Sequence, residues 1–198
     1  MDASGKDSAI ENVFSNCSQA GMQVHSFKTP SEEENVHDFL WRAHQLTPAK
    51  GMMHIFNRSY YEYVLIQRVH RIISKKRVKK RLQAINNFEQ LLQFDNDTHI
   101  LKFFLNISRK EQQRQLRQRI KDPEKQWKYN SKDFAEAKLW DRYMDCYSYV
   151  VSHSDIRWHI IPVDDRDYRD YLIAKTIYKK LRHLVPKMPT VKVKKLSH

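Results

Sequence analysis

Met1-Asp2-Ala3-Ser4-Gly5-Lys6-Asp7 opens the chain, and its reading decides what the rest is expected to fold into. A Walker A phosphate-binding loop reads G-x-x-x-x-G-K-[ST] and lies between a buried strand and a helix. Gly5-Lys6 supply the second half of that pattern. The first glycine would fall one residue before Met1, together with the strand that feeds such a loop. The expectation is therefore an N-terminally truncated phosphate-binding chain. Loss of a central strand would expose two strand edges and leave the chain poorly stable. A chance Gly-Lys beside helix-capping residues gives the same letters, so the rest of the chain has to carry the weight.

Downstream of this stretch, strand-like and helix-like patterns alternate. Apolar, β-rich runs at 24–29, 52–57, 99–107 and 158–163 predict strands, several with the unbroken apolar character of parallel strands covered on both faces. Helical patterns occupy 6–16, 32–46, 59–72, 78–94, 108–121, 131–152 and 165–184. This order predicts an α/β fold, a parallel sheet sandwiched by helices with right-handed crossovers. Pro30-Ser31-Glu32-Glu33-Glu34 sets a serine cap, with Glu34 at the capping-box spacing. Ser108 caps a basic helix, with Glu111 three residues on, and Asp122-Pro123 ends it. Residues 1–184 are expected to form one domain. The segment 185–198, with two prolines and four lysines, reads as a mobile basic tail.

Composition narrows the class. The 198 residues include three glycines and six prolines, too few for a disordered chain, and the net charge is +13. Such a charge favours a polyanionic partner: nucleic acid, anionic lipid or a phosphate polymer. Charge alone does not choose among them. No apolar run is long enough to span a bilayer and no signal-peptide pattern opens the chain, so no membrane role is expected. Cys17 and Cys146 have neither metal nor disulfide spacing, as in a reducing cytoplasm.

The candidate chemistry gathers at three places. At the loop, backbone N–H groups and the positive helix end converge on an anion, and Lys6 adds a point charge that follows a transferring phosphoryl group. Asp7 stands where a Ser or Thr would bind Mg²⁺, leaving Asp2 as the nearest carboxylate to hold metal or orient an acceptor phosphate. Phe56-Asn57-Arg58-Ser59 follows a strand, where an α/β sheet opens onto its ligand crevice. Glu62 and Arg68 lie on the adjoining helix. In the basic helix, Lys110, Arg114, Arg117 and Lys121 form one cationic stripe, with Leu116 and Ile120 on a packing face. Lys125, Trp127 and Lys128 follow the proline break. A solvated helix face is the plain alternative. The density of cations instead suits a lid over about 109–133 that closes on phosphates.

With those residues in view, the chain resembles the polyphosphate kinase 2 family. The resemblance runs through Asp2-Ala3-Ser4-Gly5-Lys6-Asp7, His37-Asp38-Phe39-Leu40-Trp41-Arg42 and Ile55-Phe56-Asn57-Arg58-Ser59. It continues through Ile100-Leu101-Lys102-Phe103-Phe104-Leu105, Asp122-Pro123-Glu124-Lys125-Gln126-Trp127-Lys128, Trp140-Asp141-Arg142-Tyr143 and Ile161-Pro162-Val163-Asp164-Asp165. It implies a P-loop kinase fold with a helical lid. It also implies Mg²⁺-dependent phosphoryl transfer between inorganic polyphosphate and AMP or ADP, with ATP as a product or partner, and a homo-oligomer. On the matching positions, Asp2 and Lys6 would serve the loop, with Asp2 also a metal ligand. Asn57, Arg58, Glu62 and Arg68 would serve the nucleotide side, and Arg119, Lys125 and Lys128, with Arg117 beside them, the polyphosphate. Tyr63 stands where many members carry an aspartate, and Asn106 where a histidine is common. The competing expectations are an ATP-dependent nucleotide kinase, a truncated inactive polyanion binder and, less favoured, a nucleic-acid binder.

Overall fold

The computed structural model describes residues 3–184, so Asp2 and the tail 185–198 lie outside the described residues. All four predicted strands form, with ends shifted by a few residues: β1 (Met22–Ser26), β2 (Met53–Arg58), β3 (Lys102–Asn106) and β4 (Trp158–Pro162). β1 runs parallel to β2 with Met22 opposite Met53, and β3 runs parallel to β4 with Lys102 opposite Trp158. The strands thus make two parallel pairs rather than one sheet, because among the described residues no strand joins β2 to β3. Each pair needs a long crossover, and helices supply it.

The helices are α1 (Lys6–Phe14), α2 (Glu32–Asn35), α3 (Trp41–Gln45), α4 (Glu62–Val69), α5 (Lys75–Asp95), α6 (Arg109–Lys121), α7 (Ser131–Ala137), α8 (Trp140–Ser152) and α9 (Arg166–Leu181). Two predicted helices are broken. The segment 32–46 splits into α2 and α3, where the Asp38 carboxylate accepts from the Leu40 N–H at 2.8 Å and draws that donor out of a helical ladder. The segment 131–152 splits into α7 and α8. α5 begins earlier than its apolar period, because Ser74 caps it by accepting from the Arg77 N–H at 3.2 Å.

The Ser31–Glu34 capping box is complete, with bonds of 3.1 and 2.9 Å. At α6 only half of one forms. Ser108 Oγ accepts from the Glu111 N–H, while the Glu111 carboxylate turns to Arg114. Asp164, just past β4, takes the Ser108 N–H instead at 2.8 Å and so ties the start of α6 to the exit of β4.

Two apolar clusters hold the fold. The larger gathers Phe27, Tyr60, Val64, Leu65, Leu82, Ile85, Phe88 and Val150 around α4 and α5. The smaller packs Ala9 of α1 and Ile173 of α9 on Ile107, Ile161 and Val163. Each fully buried aliphatic side chain stabilises by about 1.5–3 kcal/mol. In α6, Leu116 is buried, but Ile120 is 50% exposed and does not pack as its spacing predicts. Leu116 and Gln112 are the helix's buried residues.

The larger cluster also encloses charge. Glu89 is fully buried and accepts from Lys102 Nζ at 2.8 Å, Tyr60 Oη at 2.9 Å and Tyr61 Oη at 3.0 Å. Burial, then the Glu89 charge, pushes both tyrosine hydroxyls well above their ordinary range. Burial also pulls the Lys102 ammonium down against the pull of Glu89. No described helix is long and apolar enough to cross a membrane, and Cys17 and Cys146 are both free thiols.

Candidate functional site

The site begins with backbone geometry at the front of α1. Ala3 and Gly5 both hold left-handed conformations, with φ of 62° and 75°, and Gly5 is the helix N-cap. Gly5 has no side chain with which to cap α1, and a helix start of this kind is where first-turn N–H groups favour an anion. Gly5 is favoured twice over, since a Cβ there would collide with Arg169 Nη1 on top of the positive φ.

Arg169 is what fixes this turn. It is 1% exposed on α9, and its Nη1 donates to Gly5 O at 3.2 Å while its Nη2 donates to Ser8 Oγ at 3.3 Å. Its Nε donates to Asp170 at 2.7 Å, and Asn12 of α1 donates to the same carboxylate at 2.8 Å. Burial raises the Asp170 carboxyl, but the Arg169 and Asn12 hydrogen bonds prevail and hold it below its ordinary value. Lys6 opens α1 beside this clamp and is half-buried.

The exit of β2 adjoins the same turn. Asn57 Nδ2 donates to the Asp7 carboxylate, joining the first turn of α1 to the end of β2. Asn57 Oδ1 is buried without a hydrogen-bond partner among the described residues. Arg58 comes next along the chain and is exposed. Mg²⁺ needs only one or two protein oxygens beside substrate phosphates and water. The Asp7 carboxylate and the orphaned Asn57 oxygen meet that requirement, although no group of three His, Cys, Asp or Glu gathers among the described residues. Asp2, the ligand expected from sequence, lies outside the described residues.

Glu62 and Arg68 occupy the first and last turns of α4. Six residues apart, they are turned by about 240° around the helix, so α4 does not bring both to the Asn57 corner. Arg68 lies instead toward Cys146 of α8, where burial pushes the thiol up and Arg68 pulls it down. Tyr63 packs its ring under Arg42 and Arg81, at 5.3 and 5.9 Å. It is a cation–π support there.

The segment expected to serve as a lid comprises α6, a 3₁₀ turn (Pro123–Lys128) and α7. Its cations are presented in different ways. Arg119 pairs with Asp133 of α7 at 2.6 Å and is largely covered. Lys125 pairs with Asp122 at 2.7 Å, holding that carboxyl low. Arg114 binds Glu111 through two nitrogens, both at 2.6 Å. Lys128 lies 4.7 Å over the ring of Trp127, itself 77% exposed. Lys110, Arg117 and Lys121 are exposed. The stripe read from sequence therefore faces solvent, while Arg119 is the cation that ties two lid helices together. The more exposed pairs of Arg114 and Lys125 add little to stability, whereas the covered Arg119–Asp133 pair is less open to exchange.

Sequence reasoning missed Arg169, the Asp7–Asn57 link and Asp164. One signal was there: Arg169, Ile173 and Ile177 recur every four residues, and the latter two belong to an apolar cluster. An arginine on that face requires a buried partner.

Known proteins resemble this chain in both sequence and fold. The profile of the family described as Polyphosphate kinase 2 (PPK2) matches residues 1–189. An AMP/ADP-polyphosphate phosphotransferase from Meiothermus ruber is 40% identical over 96% of this chain and 72% of its own length. An ADP-polyphosphate phosphotransferase from Rhodopseudomonas palustris is 40% identical over 96% of this chain and 70% of its own. The crystal structure of Polyphosphate Kinase 2 from Arthrobacter aurescens superposes with a TM-score of 0.94 at 38% identity, covering 98% of this chain and 69% of that one.

Proposed function

This chain belongs to the polyphosphate kinase 2 family, and we propose that it is a polyphosphate kinase that transfers a phosphoryl group between inorganic polyphosphate and AMP or ADP. The observation that carries this is the left-handed turn at Gly5-Lys6, clamped by buried Arg169 and joined through Asp7 to Asn57 at the end of β2. In this reading the turn is a P-loop. Its N–H groups hold the phosphates on either side of the bond that breaks, and Lys6 follows the moving phosphoryl group. There is little covalent chemistry for the protein to perform, so in-line positioning and charge neutralisation supply the rate.

Arg58 orients the acceptor phosphate beside Asn57, with Glu62 at the start of α4 on the nucleotide side, while Arg68, turned toward Cys146 of α8, stands apart from that corner. Asp7 and Asn57 Oδ1, with Asp2, would hold Mg²⁺. When bound, the ion neutralises charge on the bridging phosphate oxygens. On the lid, Arg117, Arg119, Lys125 and Lys128 hold the polyphosphate. Arg119 and Lys125 exchange Asp133 and Asp122 for phosphate oxygens as the lid closes. Two free thiols and an intracellular substrate pair suit a reducing cytoplasm.

The test is direct. The chain with polyphosphate, Mg²⁺ and AMP or ADP is expected to yield ADP or ATP, and Lys6→Ala to abolish the product without altering the melt. A folded protein that forms product only with ATP as donor would be an ordinary nucleotide kinase. One that binds polyphosphate without turnover would be a polyanion-binding protein.

A further inference from the structure

A concave groove of about 710 Å³ lies between the α2–α3 connection, α4 and the first turns of α5. Lys76, Arg77, Lys80 and Arg81 line one wall. At spacings of one, four and five residues they share one face of α5, and Lys76 and Lys80 stand about 6 Å apart along its axis. The first turn of this helix contains no acidic residue, so its cations stand at the positive end of the macrodipole without local compensation.

The two carboxylates of the groove, and Arg81, are already engaged. Glu34 is bound by Arg42 at 2.9 Å and by the Ser31 N–H. Asp38 accepts from the Leu40 N–H. Arg81 lies 4.9 Å over Phe39 and 5.9 Å over Tyr63, and donates to Tyr63 O at 2.8 Å and Gln67 Oε1 at 2.7 Å. All those partners are neutral. Burial, then the neighbouring Arg77 charge, lowers its pKa, the direction expected where like charges face one another. The Phe39 and Tyr63 rings thus each carry a guanidinium. What remains open is a row of cations.

We propose that this groove is a second polyanion site, which holds a run of phosphates from a long polyphosphate chain away from the Gly5-Lys6 turn. The identity of the polyanion rests on the function proposed above. The row would raise the local concentration of long chains without touching the reacting phosphoryl group. None of its residues belongs to the loop, the β2 exit or the lid.

The experiment compares the wild-type chain with Lys76→Gln/Lys80→Gln, using long-chain polyphosphate and tripolyphosphate as probes. The double variant is expected to bind long chains about tenfold more weakly, with the slope of log K against log salt shallower by roughly one to two. Its turnover with tripolyphosphate and its melt are expected to stay unchanged. Equal long-chain affinity and salt slope in both proteins would overturn the proposal. So would a variant that loses single-stranded oligonucleotide binding while keeping polyphosphate. If neither protein turns over polyphosphate but long-chain binding still falls, the groove stands and the proposed transfer fails. If turnover is intact and binding indifferent, the groove alone fails. Should the double variant not fold, Lys80→Gln alone is expected to lower the salt slope by roughly one.

Discussion

The turn at Gly5 and the lid are both built from cations, yet they hold them in opposite ways. At the turn, Arg169 is buried and saturated by Gly5 O, Ser8 Oγ and Asp170. On the lid, Arg117 stands in solvent, while Lys125 and Arg119 rest on carboxylates one helical turn or one helix away. The first arrangement fixes geometry, and the second keeps charge exchangeable. A phosphotransferase needs both. Phosphates about to react require a rigid cradle, whereas a polymer that enters and leaves requires contacts that can be remade.

Substitutions can break this contrast. The largest effect on stability is expected for Arg169→Met, which leaves Gly5 O without its donor and Asp170 with Asn12 alone. Removing one partner of a buried pair costs about 3–5 kcal/mol. The melt should fall steeply and activity with it, and a variant melting like the wild type would show that the turn does not depend on the clamp. Lys6→Ala is expected to do the reverse, lowering turnover by about 10³-fold with the melt unchanged.

A third measurement probes the buried charges around Glu89. Because the folded-state pKa of Tyr60 and Tyr61 is raised, their contribution is complete below about pH 10 and is lost above it, as the unfolded tyrosines ionise first. Lys102, lowered by burial, works the other way up to the ordinary lysine value. Stability should therefore fall by about 1.4 kcal/mol per pH unit for each tyrosine once pH passes about 11. A flat alkaline melting profile would contradict the buried network. The smallest stability effect belongs to the lid. Lys125→Ala/Lys128→Ala should change stability by less than about 0.5 kcal/mol while raising KM for polyphosphate about tenfold. A large loss of stability would mean that these lysines are structural.

Much of the fold was legible in the chain. The strand positions, the Ser31 capping box and the end of α6 at Asp122-Pro123 arise from local chemistry and stand where expected. The break at Asp38 was not legible, because a single carboxylate capturing the Leu40 N–H leaves the apolar pattern undisturbed. The early start of α5 was hidden by a run of lysine and arginine with no apolar period, where only the Ser74 cap marks the helix. At the site, Lys6, Asn57 and Arg58 could be named from motif position. Arg169 could not, since its partners lie on α1, far away in sequence, and only folding brings them together. The Arg119–Asp133 pair was hidden for the same reason, because Asp133 reaches Arg119 from the following helix.

The origin of the transferred phosphorus separates polyphosphate-driven transfer from every competing activity. It is read most directly by incubating the protein with ³²P-labelled polyphosphate, unlabelled AMP or ADP and Mg²⁺, with Lys6→Ala in parallel. Label is expected in the new terminal phosphate of ADP or ATP, matched by shortening of the polyphosphate and absent from the variant. Label that stays in the polymer while the folded protein phosphorylates AMP from ATP would contradict polyphosphate as the donor.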